Sequence, residues 1–111
     1  MQSIDDITTA AAGDYPALHR LFGAYFHQDW QDDYTTSTGA VQAFLREAPY
    51  AIVDAARREL DALLATPLDD AELGRLLREG FDCNYVPQVD ELTTRAWLAR
   101  IRDLMHPVRP A

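Results

Sequence analysis

The chain has 111 residues, 48% apolar and 25% charged, a length and composition that specify one globular domain with its own core. Eighteen Asp and Glu face ten Arg and no Lys, a formal net charge of −8 that disfavours direct binding to nucleic-acid phosphates and favours capture of a basic partner. A single cysteine excludes an intrachain disulfide, no apolar run reaches membrane length, and the N-terminus carries no signal-like segment, so a soluble cytoplasmic protein with no membrane contact is expected.

Residues 1–13 and 107–111 read as flexible ends around a helical domain over 14–106. The first helix is expected from a cap at Asp14, with Pro16 in its first turn and Tyr15, Leu18, Leu21, Phe22, Tyr25 and Phe26 on one apolar face. That pattern breaks off in Tyr25-Phe26-His27-Gln28-Asp29-Trp30, and Gln31-Asp32-Asp33-Tyr34 follows. Three aromatics in so short a run are not loop composition. Trp30 is expected to fold back over Phe26 and lock the loop, leaving Asp32 and Asp33 projecting.

A short second helix, capped by Ser37 or Thr38, carries Val41, Phe44 and Leu45 and stops at Pro49. The third, about residues 50–65, buries Ile52, Val53, Ala56, Leu60, Leu63 and Leu64. Asp54 with Arg58, and Arg57 with Asp61, are spaced for ion pairs on its wet side. Asp69 and Glu72 form a capping box for a fourth helix burying Leu73, Leu76 and Leu77, with Gly80 placed to end it and Gly74 suggesting a close neighbour. Phe81 to Val86 reads as an ordered loop, since a lone strand has no sheet to join. The last helix, about Glu91 to Met105, turns Leu92, Trp97, Leu98, Ile101, Leu104 and Met105 inward before Pro107. The expected fold is all-α: a compact single-domain bundle of about five helices.

Chemistry is sparse. His27, Asp29, Asp32 and Asp33 are the only cluster with metal or acid–base character, but His27 and Asp29 are two apart and point to different sides of a helix. No second histidine is suitably spaced, and there is no CxxC, Gly-rich loop, GxSxG or HExxH. No metal, no cofactor and no catalytic residue is expected, and His27 reads as a helix-end residue bonded to backbone or to Asp29. His19 and His106 read as isolated surface or helix-end residues. The thiol of Cys83, beside Asp82, is expected to be raised in pKa and structural.

The run from Tyr15 to Trp30, ending in Tyr25-Phe26-His27-Gln28-Asp29-Trp30, resembles an all-helical family of immunity proteins from bacterial contact-dependent growth inhibition systems. Phe81-Asp82-Cys83-Asn84-Tyr85 with Pro87, and Ala96-Trp97-Leu98, are similar to later stretches of that family, so the resemblance spans Asp14 to Met105. Phe81, Asp82 and Cys83 stand where the family usually has a small residue and Cys, which reshapes that loop. The resemblance implies a non-enzymatic inhibitor that binds one cognate toxin domain of a CdiA-type exoprotein, 1:1, the toxin being a basic nuclease. Toxin contacts are expected at acidic positions: Asp29, Asp32 and Asp33, and Asp69, Asp70 and Glu72, the second group being equally explained as caps. The alternative is a small acidic adaptor or regulatory subunit docking a partner in an apolar groove.

Overall fold

A computed structural model describes residues 4–105, among which every regular element is helical. Seven α-helices take the place of the expected five: α1 (Ile4–Asp14), α2 (Pro16–Tyr25), α3 (Trp30–Asp33), α4 (Ser37–Glu47), α5 (Tyr50–Leu64), α6 (Asp70–Arg75) and α7 (Thr94–Met105). A π-helical turn, Leu76–Gly80, widens the end of α6, and a single 3-10 turn, Pro87–Asp90, precedes α7.

Both additional helices, α1 and α3, lie where the sequence predicts irregular chain. Residues 4–13 are helical and held: Ala11 is fully buried, Ile4 and Ile7 pack on the core, and Asp5 pairs with Arg75. Over 4–13 the chain is thus helical and packed where a flexible end is expected; residues 1–3 lie outside the described residues. Its alanine- and threonine-rich composition lacks a strong apolar stripe, so tertiary packing supplies what propensity does not. The second is α3, one turn closed at Tyr34, whose N–H donates to the Trp30 carbonyl at 3.0 Å. The tail 107–111, Pro107 and His106 lie outside the described residues.

Helix α5 packs between α2 and α7, α4 crosses against α2 and α7, and α1 lies over the π turn and α2. The core they share is aromatic at its centre. Phe22, Phe26, Trp97, Leu18, Leu21, Leu60, Leu63, Leu73, Leu76 and Leu98 are all essentially without solvent contact. The pattern expected for α5 holds at Val53, Ala56, Leu60 and Leu63, while Ile52 and Leu64 are only partly buried. Its wet side carries both expected pairs, Arg58–Asp54 at 3.1 Å and Arg57–Asp61 at 3.5 Å.

The caps of α2 and α4 differ from those the sequence suggests, and Arg95 closes α5 from a distance. Asp14 does not cap α2; the Ala17 and Leu18 N–H groups donate to the two Glu59 carboxylate oxygens, at 3.3 and 3.0 Å, from α5. The α4 cap is Thr36, whose Oγ1 accepts from Gly39 N–H at 3.0 Å, because Ser37 is buried and accepts the Trp97 indole N–H at 3.3 Å. The Arg95 guanidinium donates to the carbonyls of Leu64 and Leu68, each at 2.8 Å, closing the end of α5. Gly80 is needed for space: a Cβ there meets Ala11 Cβ at 2.9 Å, and no glycine has positive φ. Gly74 has a close neighbour too, with Thr94 Oγ1 3.6 Å from an added Cβ.

Candidate protein-interaction surface

The segment after α2 is fixed by aromatic packing beneath and polar bonds above. The Trp30 ring lies 5.4 Å from Phe26 and 5.6 Å from Tyr85, folding back as expected, and is 6% exposed. Tyr85 in turn lies 4.7 Å from Trp97, and Phe26 lies 5.3 Å from Trp97 edge-on. The motif is thereby tied to α7 and to the loop before it, contacts far apart in sequence. Aromatic pairs of this kind add about 0.5–1.5 kcal/mol each beyond their buried area.

His27 is spent on the backbone. Its Nδ1 accepts the Asp29 N–H at 3.1 Å, and its Nε2 lies 3.3 Å from Asp33 Oδ2, so the neutral ring carries its proton on Nε2 and donates to that carboxylate. The expected side-chain partner Asp29 is replaced by Asp33, because one turn of helix brings Asp33 back over the ring. Among the described residues no group of three or more His, Cys, Asp or Glu is placed to hold a metal ion.

The carboxylates of Asp29, Asp32 and Asp33 share one exposed turn. Among the described residues the Asp29 side chain makes no capping bond, Asp32 has no side-chain partner, and the Asp33 carboxylate bonds to His27. Beside them Tyr25 and Tyr34 stack at 6.2 Å, and the Tyr25 hydroxyl donates to Glu47 Oε1 at 2.7 Å. Partial burial and that bond push the Tyr25 phenol up to about 12. The result is a rigid, acidic, half-aromatic face at the α2–α4 end. A preformed face of this kind loses little entropy when it grips a cationic partner.

The second acidic group has other work. Asp69 and Glu72 form the expected capping box, Glu72 N–H donating to Asp69 Oδ1 at 2.8 Å and Asp69 N–H to Glu72 Oε1 at 2.9 Å. Asp70 caps a different helix: Thr94 and Arg95 N–H donate to its two oxygens at 3.1 and 2.9 Å. This cap, with Glu91 in a left-handed conformation (φ 61°), starts α7 at Thr94 rather than Glu91. Replacing Asp70 by Ala orphans two N–H groups and is expected to cost about 1–2 kcal/mol, checked by urea unfolding.

Phe81 to Val86 is an ordered loop with strand-like alternation: Phe81, Cys83 and Tyr85 are buried while Asp82, Asn84 and Val86 face out. The Asn84 N–H and its side-chain amide both donate to the Phe26 carbonyl, at 2.8 and 3.2 Å, pinning the loop to the end of α2. The Tyr85 hydroxyl donates to Asp90 at 2.6 Å. Burial pushes the Cys83 thiol up to about 12, so the expected direction holds but burial, not Asp82, causes it. Burial and the Asp90 bond also raise Tyr85 to about 12.

These shifts have a testable sign. The ordinary values are 10.0 for Tyr25 and Tyr85 and 9.0 for Cys83, and folding favours each neutral form. Above those values the unfolded chain binds fewer protons than the folded one, so stability is complete below about pH 9 and declines as pH rises toward 12. Urea midpoints measured from pH 8 to 11.5 are expected to fall, and less steeply in Cys83→Ala.

The exposure of Val86 and Val89 and the bonding roles of Glu59, Asn84 and Arg95 are features that the structure brings out. The alternation from Phe81 carries the signal for Val86, which falls on the outward phase. No local pattern reveals the bonds from Glu59 to Leu18, Asn84 to Phe26 or Arg95 to Leu64 and Leu68, whose partners are 27 or more residues away.

No described helix is long and apolar enough to cross a membrane. The chain is similar to a solved structure, described as the crystal structure of a CdiA-CT/CdiI complex from Y. kristensenii 33638. The TM-score is 0.79 and the identity 28%, over 84% of this chain and 99% of that one. No curated protein matches. The family model for the CdiI immunity protein matches residues 14–105, the segment holding the aromatic lock, the acidic turn and the pinned loop; the chain belongs to the CdiI immunity protein family.

Proposed function

We propose that this protein acts in the cytoplasm by binding the C-terminal toxin domain of its cognate CdiA-type exoprotein in a tight, non-catalytic 1:1 complex. The observation that carries the reading is the family match over residues 14–105, joined by the likeness to a chain from a CdiA-CT/CdiI complex. The acidic face of Asp29, Asp32 and Asp33 supports a toxin that presents Arg and Lys, as a nuclease does because its substrate is a polyanion. Asp69, Asp70 and Glu72 serve the scaffold in this reading. With His27 committed to the Asp29 N–H and Asp33, inhibition rests on occlusion rather than on chemistry at an imidazole.

The test is co-expression with the toxin domain encoded beside it. Cells are expected to survive and the two chains to copurify as one complex; cell death without copurification refutes the reading.

A further inference from the structure

We infer that the Asp82–Glu91 segment supplies the apolar anchor of the toxin-binding face, with Val86 and Val89 entering an apolar hollow on the toxin domain that is rimmed by Arg or Lys. The inference rests on the immunity reading above and adds to it the surface through which binding occurs.

Among the described residues three large hydrophobics are exposed, and two of them, Val86 at 41% and Val89 at 72%, stand three apart on this segment. A solvated valine gains nothing for the fold, and single exposed side chains of this kind are ordinary. The pair here is distinguished by its mounting. Cys83 N–H donates to the Leu77 carbonyl at 2.9 Å, Asn84 is fastened to Phe26, and Leu92 N–H donates to the Pro87 carbonyl at 3.2 Å. The Gln88 amide reaches Thr94 Oγ1 at 3.3 Å, holding the turn to α7. The valines are thus presented on a pinned backbone, the condition under which apolar anchors add affinity without a large ordering cost.

The chemistry of the occupant follows from the charges. Asp82, Asp90 and Glu91 flank the valines on their own segment, all exposed. The Trp30–Tyr85 and Phe26–Asn84 contacts set that segment against the turn bearing Asp29, Asp32 and Asp33. An apolar centre bordered by carboxylates on two connected segments is the complement of an apolar hollow with a cationic rim. A second copy of this chain, at −8, brings the same carboxylates to the contact and is disfavoured.

The experiment measures toxin binding by Val89→Asp and by Val86→Asp/Val89→Asp, each alongside the unaltered chain, with thermal melts and sedimentation. Both sites are solvent-facing, so melting temperatures are expected to stay within a few degrees of the parent. Affinity is expected to fall roughly thirtyfold or more, mainly through faster dissociation. Binding at parental affinity by both folded variants overturns the anchor while leaving the immunity reading intact. Failure of the unaltered chain to bind the toxin overturns both. A parent that self-associates and becomes monomeric in Val89→Asp, with toxin affinity unchanged, assigns the patch to a second copy and also overturns the anchor.

Discussion

Trp97→Ala is expected to lose about 3–5 kcal/mol of stability, the range for emptying a large aromatic from a packed core. The indole is 1% exposed and meets Phe22, Phe26 and Tyr85 with ring centroids 4.7–5.7 Å away. Its N–H donates to Ser37 Oγ, so truncation also leaves a buried hydroxyl without its donor. Helix α7, the end of α2 and the Asp82–Glu91 segment all converge on this ring. A domain of this size holds only about 5–15 kcal/mol in total, so the melting temperature is expected to fall by roughly 15 °C or more. Trp30→Ala removes ring contacts to Phe26 and Tyr85, two against the three of Trp97, and is expected to cost less, while loosening the acidic turn it supports. Thermal unfolding followed by circular dichroism checks both; a Trp97→Ala melt within a few degrees of the parent contradicts the packing described.

Replacing Asp29, Asp32 and Asp33 together by Asn is expected to slow toxin association by about ten- to a hundredfold at low ionic strength. The substitutions keep side-chain shape, and an Asn at 33 still offers an oxygen to His27. Since the carboxylates of Asp29 and Asp32 bond to no other group among the described residues, stability is expected to change by less than about 0.5 kcal/mol per site. The difference between parent and triple variant should shrink as salt is raised, because exposed charges are screened beyond roughly 8 Å at physiological ionic strength. Stopped-flow association at several salt concentrations measures this directly. A triple variant that associates at the parental rate at every salt concentration removes these three positions from the interface.

The helical class and the apolar faces were legible because period and caps are local. The capping box at Asp69 and Glu72, the inward set of α5 and the fold-back of Trp30 over Phe26 could all be read from spacing. Helix α1 was not, because its helicity depends on the seat provided by Gly80 and the π turn rather than on its own pattern. Distant caps were equally hidden. Asp70 looks like a first-turn acid of α6, yet its oxygens close α7, and Glu59 looks like a wet-face residue of α5, yet it caps α2. The candidate surface divides in the same way: the acidic turn showed itself as composition, while the valine pair became visible only once the loop was seen pinned to Phe26.

Stoichiometric titration separates occlusion from turnover. Fixed toxin domain is mixed with increasing amounts of this protein and the residual toxin activity is followed. Capture by occlusion predicts a linear decline to an endpoint at one equivalent, independent of incubation time once binding is complete. Loss of toxin activity at well below one equivalent, growing with time, contradicts the account because it requires turnover.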